Sequence, residues 1–195
     1  MVDEVGTEES GGDDSQEAET PEAPKDPPGK ALRELVDAEF PGAILEQTAY
    51  EDREDEVTFV LSGEALPKVA AFLRDHPAAS FKILTDLTAV HYPDDEKPFQ
   101  TVYQLVSVDH SRLLRLKVKL REGQEVPSLA GVWSSANWME REVYDLFGIR
   151  FSDHPDLRRI FLPEDWGSPP FRKDYPLEGL GERVYSKPTR KEIGE

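Results

Sequence analysis

The sequence predicts an α+β fold, a two-layer helix/sheet sandwich followed by a largely irregular C-terminal extension. Three observations carry this. Leu114, Leu116, Val118 and Leu120 alternate with Arg115, Lys117, Lys119 and Arg121, the period-two pattern of a strand with one buried face. Leu32, Leu35, Val36 and Phe40, and again Leu66, Val69, Ala70 and Leu73, recur at helical spacing. Beyond residue 147, aromatic and aliphatic residues are interrupted by six prolines, which leaves little room for regular structure.

Residues 1–30 hold ten acids against two bases and close on Pro21, Pro24, Pro27 and Pro28. Such a segment buries too little apolar surface to offset backbone entropy, so a disordered acidic, Pro-rich tail is expected. Order begins near Lys30 with a helix that Pro41 and Gly42 end. Residues 43–49 and 57–61 predict two strands joined by a charged loop over 51–56, and 64–75 a second helix with Pro67 in its first turn. Phe81, Ile83, Thr85, Leu87 and Ala89 predict a strand with one shared face, and 101–108 another, across a turn rich in Pro93, Asp94, Asp95 and Pro98. The alternating strand at 114–121 completes the sheet, with its basic face toward water or acid. Residues 134–147 (SSANWMEREVYDLF) predict a helix capped by Ser134 or Ser135, with Met139, Val143, Leu146 and Phe147 as its apolar stripe. Arg141 and Asp145, one turn apart, are expected to pair, and Gly148 to leave through a left-handed cap. The expected domain therefore covers residues 31–147.

In residues 148–195, Trp166 and Phe171 are costly to leave in water, yet the prolines deny them a regular scaffold. The expectation is a ribbon docked in grooves of its own domain, of a partner, or of both. Arg158, Arg159, Arg172 and Lys173 stand beside Asp153, Asp156, Asp165 and Asp174, and can pair within the chain or with a partner.

The net charge of -17 disfavours nucleic acid, whose binding draws on phosphate neutralisation. The absence of cysteine excludes disulfides, all-thiolate metal or iron–sulfur ligation and a cysteine nucleophile on this chain. No stretch is long and apolar enough to span a bilayer. His76, His91, His110 and His154 lack metal-ligand spacing, and the glycines at 179 and 181 lack the strand–turn–helix context of a dinucleotide site. His154, flanked by Asp153 and Asp156, is expected to make a structural hydrogen bond or an interfacial salt link rather than to act as a general base. Asp86 is expected to distort its strand.

The run EREVYDLFGIRFSDHPDLRRIFLPEDW, followed by FRKDYPL, resembles the C subunit of proton-pumping NADH:quinone oxidoreductase, the 30 kDa subunit of respiratory complex I. The likeness is close over 140–177 and extends in layout to about residue 31. Two places depart from the family's pattern: Asp153-His154-Pro155 stands for a usual Gly-His-Pro, and Gly167-Ser168-Pro169-Pro170 for a usual Glu-Gly-His-Pro. Asp at the first tolerates left-handed geometry. The resemblance implies a non-catalytic hydrophilic-arm subunit, with no catalytic, cofactor or metal site of its own. It implies a D-like (49 kDa) partner and iron–sulfur subunits as neighbours. FMN, iron–sulfur clusters, NADH and quinone would reside on those partners. It also implies peripheral placement on the cytoplasmic side of a bacterial inner membrane. The equivalent subunit of a membrane-bound hydrogenase or another non-NADH donor complex is the alternative, and an independent hydrolase using His154 the remote one.

Overall fold

The computed structural model describes residues 29–50 and 53–181. The acidic tail of residues 1–28 and the last part of the ribbon, 182–195, lie outside the described residues. In chain order the elements are α1 (Lys30–Glu39), β1 (Ile44–Tyr50), β2 (Arg53–Leu61), α2 (Leu66–Asp75), β3 (Ile83–His91), β4 (Phe99–Ser107), β5 (Arg112–Leu120), β6 (Val126–Pro127), α3 (Ala136–Phe147) and β7 (Phe151–Ser152). Five strands form one sheet in the order β1-β2-β5-β4-β3, and β6 pairs with β7 in a short second sheet. Within the large sheet β2 and β5 are parallel, and the other neighbours antiparallel.

One face of the sheet carries the core. Phe59, Leu116, Tyr103 and Leu87 form a row across four strands, set by the cross-strand register, and all four are buried. Against this face pack Leu32 and Val36 of α1, four buried residues of α2, and Ala136, Val143, Leu146 and Phe147 of α3. Burying each large apolar side chain contributes about 1.5–3 kcal/mol. The helices therefore form one layer and the sheet the other, as the periodicities predict. Ile149 and Phe151, in the first residues after α3, also join this core.

Among the described residues the opposite sheet face is free of helices, and it carries the basic residues of β5. Its acidic neighbours come from the same chain. Arg115 pairs with Glu56 at 2.5 Å and Lys119 with Glu46 at 2.7 Å, while Arg121 in the following turn meets Glu96 at 2.6 Å. The exposed pairs add little stability. Their larger effect is to cancel the positive stripe that a polyanion would need.

Four local expectations are corrected. The segment read as a charged loop is partly strand, since β2 begins at Arg53 and pairs back to Tyr50 across an irregularity in the ladder. The shared face proposed for 81–89 is broken by a bulge: Leu84 opposes Leu105 but Asp86 opposes Gln104, leaving Thr85 as the extra residue. The inward set is therefore Leu84, Leu87, Ala89 and His91, while Ile83 is 44% exposed. Ser135 stands at the N-cap of α3 without capping it, and its hydroxyl donates to the Leu84 carbonyl instead, tying the helix to the bulge. Arg141 and Asp145 do not pair with each other, for the reason developed below.

The left-handed exit expected at Gly148 holds, at φ 76°. Asp153, at a position where Asp could have disturbed a tight turn, takes the left-handed backbone at φ 60°. Left-handed backbone costs an ordinary L-residue roughly 1–2 kcal/mol, with Asp among the more tolerant types. Asp153→Gly is accordingly expected to raise stability by about 0.5–1 kcal/mol, measured as a shift of the denaturation midpoint at unchanged slope.

Candidate functional site

The candidate site is an interaction face built by α3 and the ribbon that runs along it. Trp138, Arg141 and Asp145 follow one another at helical spacings of three and four, so they share one side of α3. Arg141 is buried, its guanidinium 4.6 Å from the centre of the Trp138 ring. Its Nε donates to the Arg158 carbonyl at 3.1 Å and its Nη2 to the Arg159 carbonyl at 3.5 Å. One turn later, Asp145 Oδ2 accepts the backbone N–H groups of Ile160, Phe161 and Leu162 at 3.0, 2.7 and 2.9 Å. The arginine takes ribbon carbonyls and the aspartate takes ribbon amides.

This is why the two side chains do not pair. An irregular segment has main-chain donors and acceptors that no ladder satisfies, and burying them unpaired costs about 1–3 kcal/mol each. Arg141 and Asp145 supply the missing partners at about the right separation. Four helical residues rise roughly 6 Å and two extended residues span roughly 7 Å. The second carboxylate oxygen of Asp145 accepts no hydrogen bond, and Arg159 Nη1 stands 3.9 Å from it, near enough for attraction.

A second anchor lies at the C-terminus of α3. Phe171 N–H donates to the Leu146 carbonyl at 3.0 Å, and Arg172 Nε to the Phe147 carbonyl at 2.8 Å, satisfying helix-end acceptors. Arg172 also meets Glu122 at 3.0 Å and stacks over Phe99. Lys173 N–H donates to His91 Nδ1 at 3.0 Å. Trp166 Nε1 donates to the Ser168 carbonyl at 2.8 Å, so the Gly167–Pro170 segment forms a local turn closed by the indole. Pro169 rests against Gly148, where a Cβ would lie 2.8 Å from Pro169 Cγ and 3.0 Å from Arg172 Nη2.

The ribbon's charged residues thus divide. Arg172 is bound within the chain. Arg159 Nη1 donates to the Pro163 carbonyl at 3.4 Å and leans toward Asp145, whereas Arg158 is exposed and, among the described residues, paired only with nearby Asp156 at 2.9 Å. The side chain of Lys173 makes no ion pair among the described residues.

His154 is occupied structurally. Its side chain is buried, Nδ1 accepts the Asp156 N–H at 3.0 Å, and Nε2 lies 3.1 Å from the Asn137 carbonyl. Glu140 Oε2 stands 3.8 Å from Nε2 and accepts the Ser128 hydroxyl at 2.6 Å. The serine proton therefore points at a carboxylate rather than at the imidazole, the wrong order for a nucleophile and base. Among the described residues no cluster of three or more His, Asp or Glu is placed to hold a metal ion. A groove of about 610 Å³ lies beside Glu46 and Lys119, which pair with each other, and no histidine lines it.

Beside exposed charges such as Asp156, Arg158, Asp165 and Lys173, the site exposes large apolar side chains. Trp138 and Phe161 are each 64% exposed, Phe171 is 57% exposed, and Leu177 and Leu180 project fully or largely into solvent. Phe147 and Phe171 meet edge to face at 5.7 Å, fixing the latter's orientation. Sequence reasoning identified the ribbon but missed Arg141 and Asp145 as its anchors. Their i, i+4 spacing had a simpler explanation in a surface pair.

The family model described as the 30 kDa subunit of respiratory-chain NADH dehydrogenase matches residues 59–180, from β2 through the ribbon. The C subunit of NADH-quinone oxidoreductase from Streptomyces coelicolor is 43% identical over 164 residues, covering 79% of this chain and 65% of its own length. The chain therefore spans just under two thirds of that relative. The corresponding C subunit from a Methylobacterium species is 41% identical over 159 residues, covering 81% of this chain and 72% of its own. Among solved structures, a trypsin-resistant fragment of Nqo5 shares 28% identity at a TM-score of 0.54, covering 65% of this chain and 97% of the fragment. A chain of a membrane-bound sulfane sulfur reductase, an archaeal respiratory membrane complex, superimposes at a TM-score of 0.62 over 76% of this chain and 86% of its own. At 24% identity that likeness is one of fold.

Proposed function

Because the chain belongs to the respiratory-chain NADH dehydrogenase 30 kDa subunit family, we propose that it is a cofactor-free hydrophilic-arm subunit of an NADH:quinone oxidoreductase. In this reading it supports assembly and holds the quinone-reducing module in place during electron transfer coupled to proton translocation. Its contribution to catalysis is positional, and FMN, iron–sulfur clusters, NADH and quinone are handled on other chains. The partner of the ribbon is a D-like (49 kDa) subunit, with iron–sulfur subunits as further neighbours. Among the described residues no helix is long and apolar enough to cross a membrane. Peripheral attachment through the complex, on the cytoplasmic side of a bacterial inner membrane, fits that observation. The chain divides functionally into the tail 1–30, the domain 31–147 and the docking extension 148–195.

The observation that carries this reading is a ribbon whose backbone is bound to its own helix while Phe161 and Phe171 face outward beside Trp138. The Arg158 and Arg159 carbonyls and the amides of residues 160–162 are satisfied internally, so docking over Trp138 and Phe161 would desolvate mainly apolar surface there, with exposed charges around it, the arrangement expected of an interface centre. Trp138→Ala combined with Phe161→Ala is expected to weaken co-purification with the complex at least about tenfold, since buried aromatic anchors contribute about 2 kcal/mol or more. The isolated chain should lose only the Trp138 contact with Arg141, about 0.5–1 kcal/mol in its unfolding free energy. Undiminished incorporation of the double variant would rule the face out. Recovery of the chain with a hydrogenase module in place of a flavin-containing NADH module would instead support the alternative donor complex.

A further inference from the structure

We propose that Glu140 and His154 form a protonation-controlled latch that holds the root of the ribbon to α3 and to the 128–130 loop, and that this latch loosens as the surroundings become alkaline. Its regulatory meaning rests on the docking reading above, whereas the latch itself is a property of this chain alone.

Three segments converge on one buried carboxyl. Glu140 projects from α3 with no exposed surface. Its Oε2 accepts the Ser128 hydroxyl and its Oε1 the Leu129 N–H, both at 2.6 Å. From the ribbon, His154 brings Nε2 to 3.8 Å of Oε2. From β4, burial raises the pKa of the Tyr103 phenol and the Glu140 charge adds to the effect, so the phenol is neutral throughout the relevant range. Among the described residues no Lys or Arg forms an ion pair with Glu140. Arg141, its neighbour in sequence, is committed to the Arg158 and Arg159 carbonyls.

A buried carboxylate without a cation is costly, so the site must hold a proton or open. His154 holds the ribbon root by its ring, with Nδ1 accepting the Asp156 N–H and Nε2 standing 3.1 Å from the Asn137 carbonyl of α3. The carboxyl is the group that takes up the proton. Burial pushes Glu140 up to about 7 from an ordinary value of 4.5, against the opposing pull of the Ser128 and Leu129 hydrogen bonds.

Proton linkage fixes the direction. Between the two values the closed site binds a proton that the opened site has released, so closure is favoured at low pH. That advantage is complete below the opened group's pKa, declines as pH rises toward the closed group's, and is gone above it. Between pH 6 and 8 the opening equilibrium should rise about tenfold.

Hydrogen exchange of the isolated full chain, read by mass spectrometry and corrected for the intrinsic exchange rate, tests this without any partner. Peptides covering 128–130 and 153–157 should lose about tenfold in protection between pH 6 and 8, with the β4 and β5 peptides unchanged. Glu140→Gln should flatten that dependence. Equal protection at both pH values, or the same loss in Glu140→Gln, overturns the latch. Should the variant fail to fold, carbon-detected NMR titration of the Glu140 carboxyl in the unaltered chain decides, with a midpoint near 7 expected and one below 5 contradicting it. None of these outcomes depends on whether the ribbon docks on a partner.

Discussion

Replacing Asp145 by alanine is expected to lower the unfolding free energy of the full chain by about 3–5 kcal/mol, the cost of breaking a buried charged contact on one side. The carboxylate accepts three consecutive ribbon amides through one oxygen. Alanine leaves those donors without a protein partner, and the volume it vacates lies beside a guanidinium that has lost its nearest countercharge. The ribbon can respond by lifting off and hydrating its amides, which limits the loss but exposes Leu157 and Leu162, both packed against the core. Denaturant unfolding monitored by tryptophan fluorescence gives the magnitude. Hydrogen exchange locates it, with protection lost first over 158–162. Asp145→Asn, which keeps one carbonyl oxygen, should fall between the two. A loss below about 1 kcal/mol, the size of an ordinary surface change, would mean that the anchor is not what seats the ribbon.

The second large effect is expected at Gly148. Its backbone is left-handed at φ 76°, and an added methyl would meet Pro169 at 2.8 Å. The conformational term alone is roughly 1–2 kcal/mol. The steric term cannot be relieved by a side-chain rotation, because the proline ring is rigid and its segment is fixed on both sides, by the Trp166 indole and by the Phe171 N–H. Gly148→Ala should therefore cost about 3 kcal/mol in all and displace the ribbon turn. Recovery of stability in Gly148→Ala combined with Pro169→Ala would show that the contact, and not the backbone alone, is responsible. No recovery would assign the whole effect to φ.

Much of this fold was legible because its elements obey one period each. The β5 alternation, the α2 stripe and the left-handed exit at Gly148 need only local information, and they stand where the sequence places them. The bulge at Thr85 was not legible, since an inserted residue shifts the inward set without changing the local composition. The ribbon's existence followed from apolar residues among prolines. Its attachment did not, because backbone amides carry no residue identity, and a side chain that binds them leaves no complementary residue type in the sequence. Asp145 reads as a surface charge on a helix until the ribbon is laid against it. His154 shows the reverse case: a sequence suggestive of chemistry resolves into two structural hydrogen bonds.

The same division clarifies how the family's pattern is kept where residues differ. Asp153 adopts the backbone that a glycine takes with ease, and Pro169 packs against Gly148 in the segment that departs from the family's second histidine-containing motif. Neither departure disturbs the Arg141 and Asp145 anchors. The features that seat the ribbon thus lie within the stretch that the family model matches.

Cross-linking mass spectrometry of the natively isolated respiratory complex, using a lysine-reactive reagent, tests the central claim most directly. Lys173 lies on the exposed ribbon, while Lys117 and Lys119 lie on the helix-free sheet face. The expected result is that Lys173 links to the D-like (49 kDa) partner. Absence of the chain from the complex, or links to that partner confined to Lys117 and Lys119, would contradict a ribbon-mediated dock.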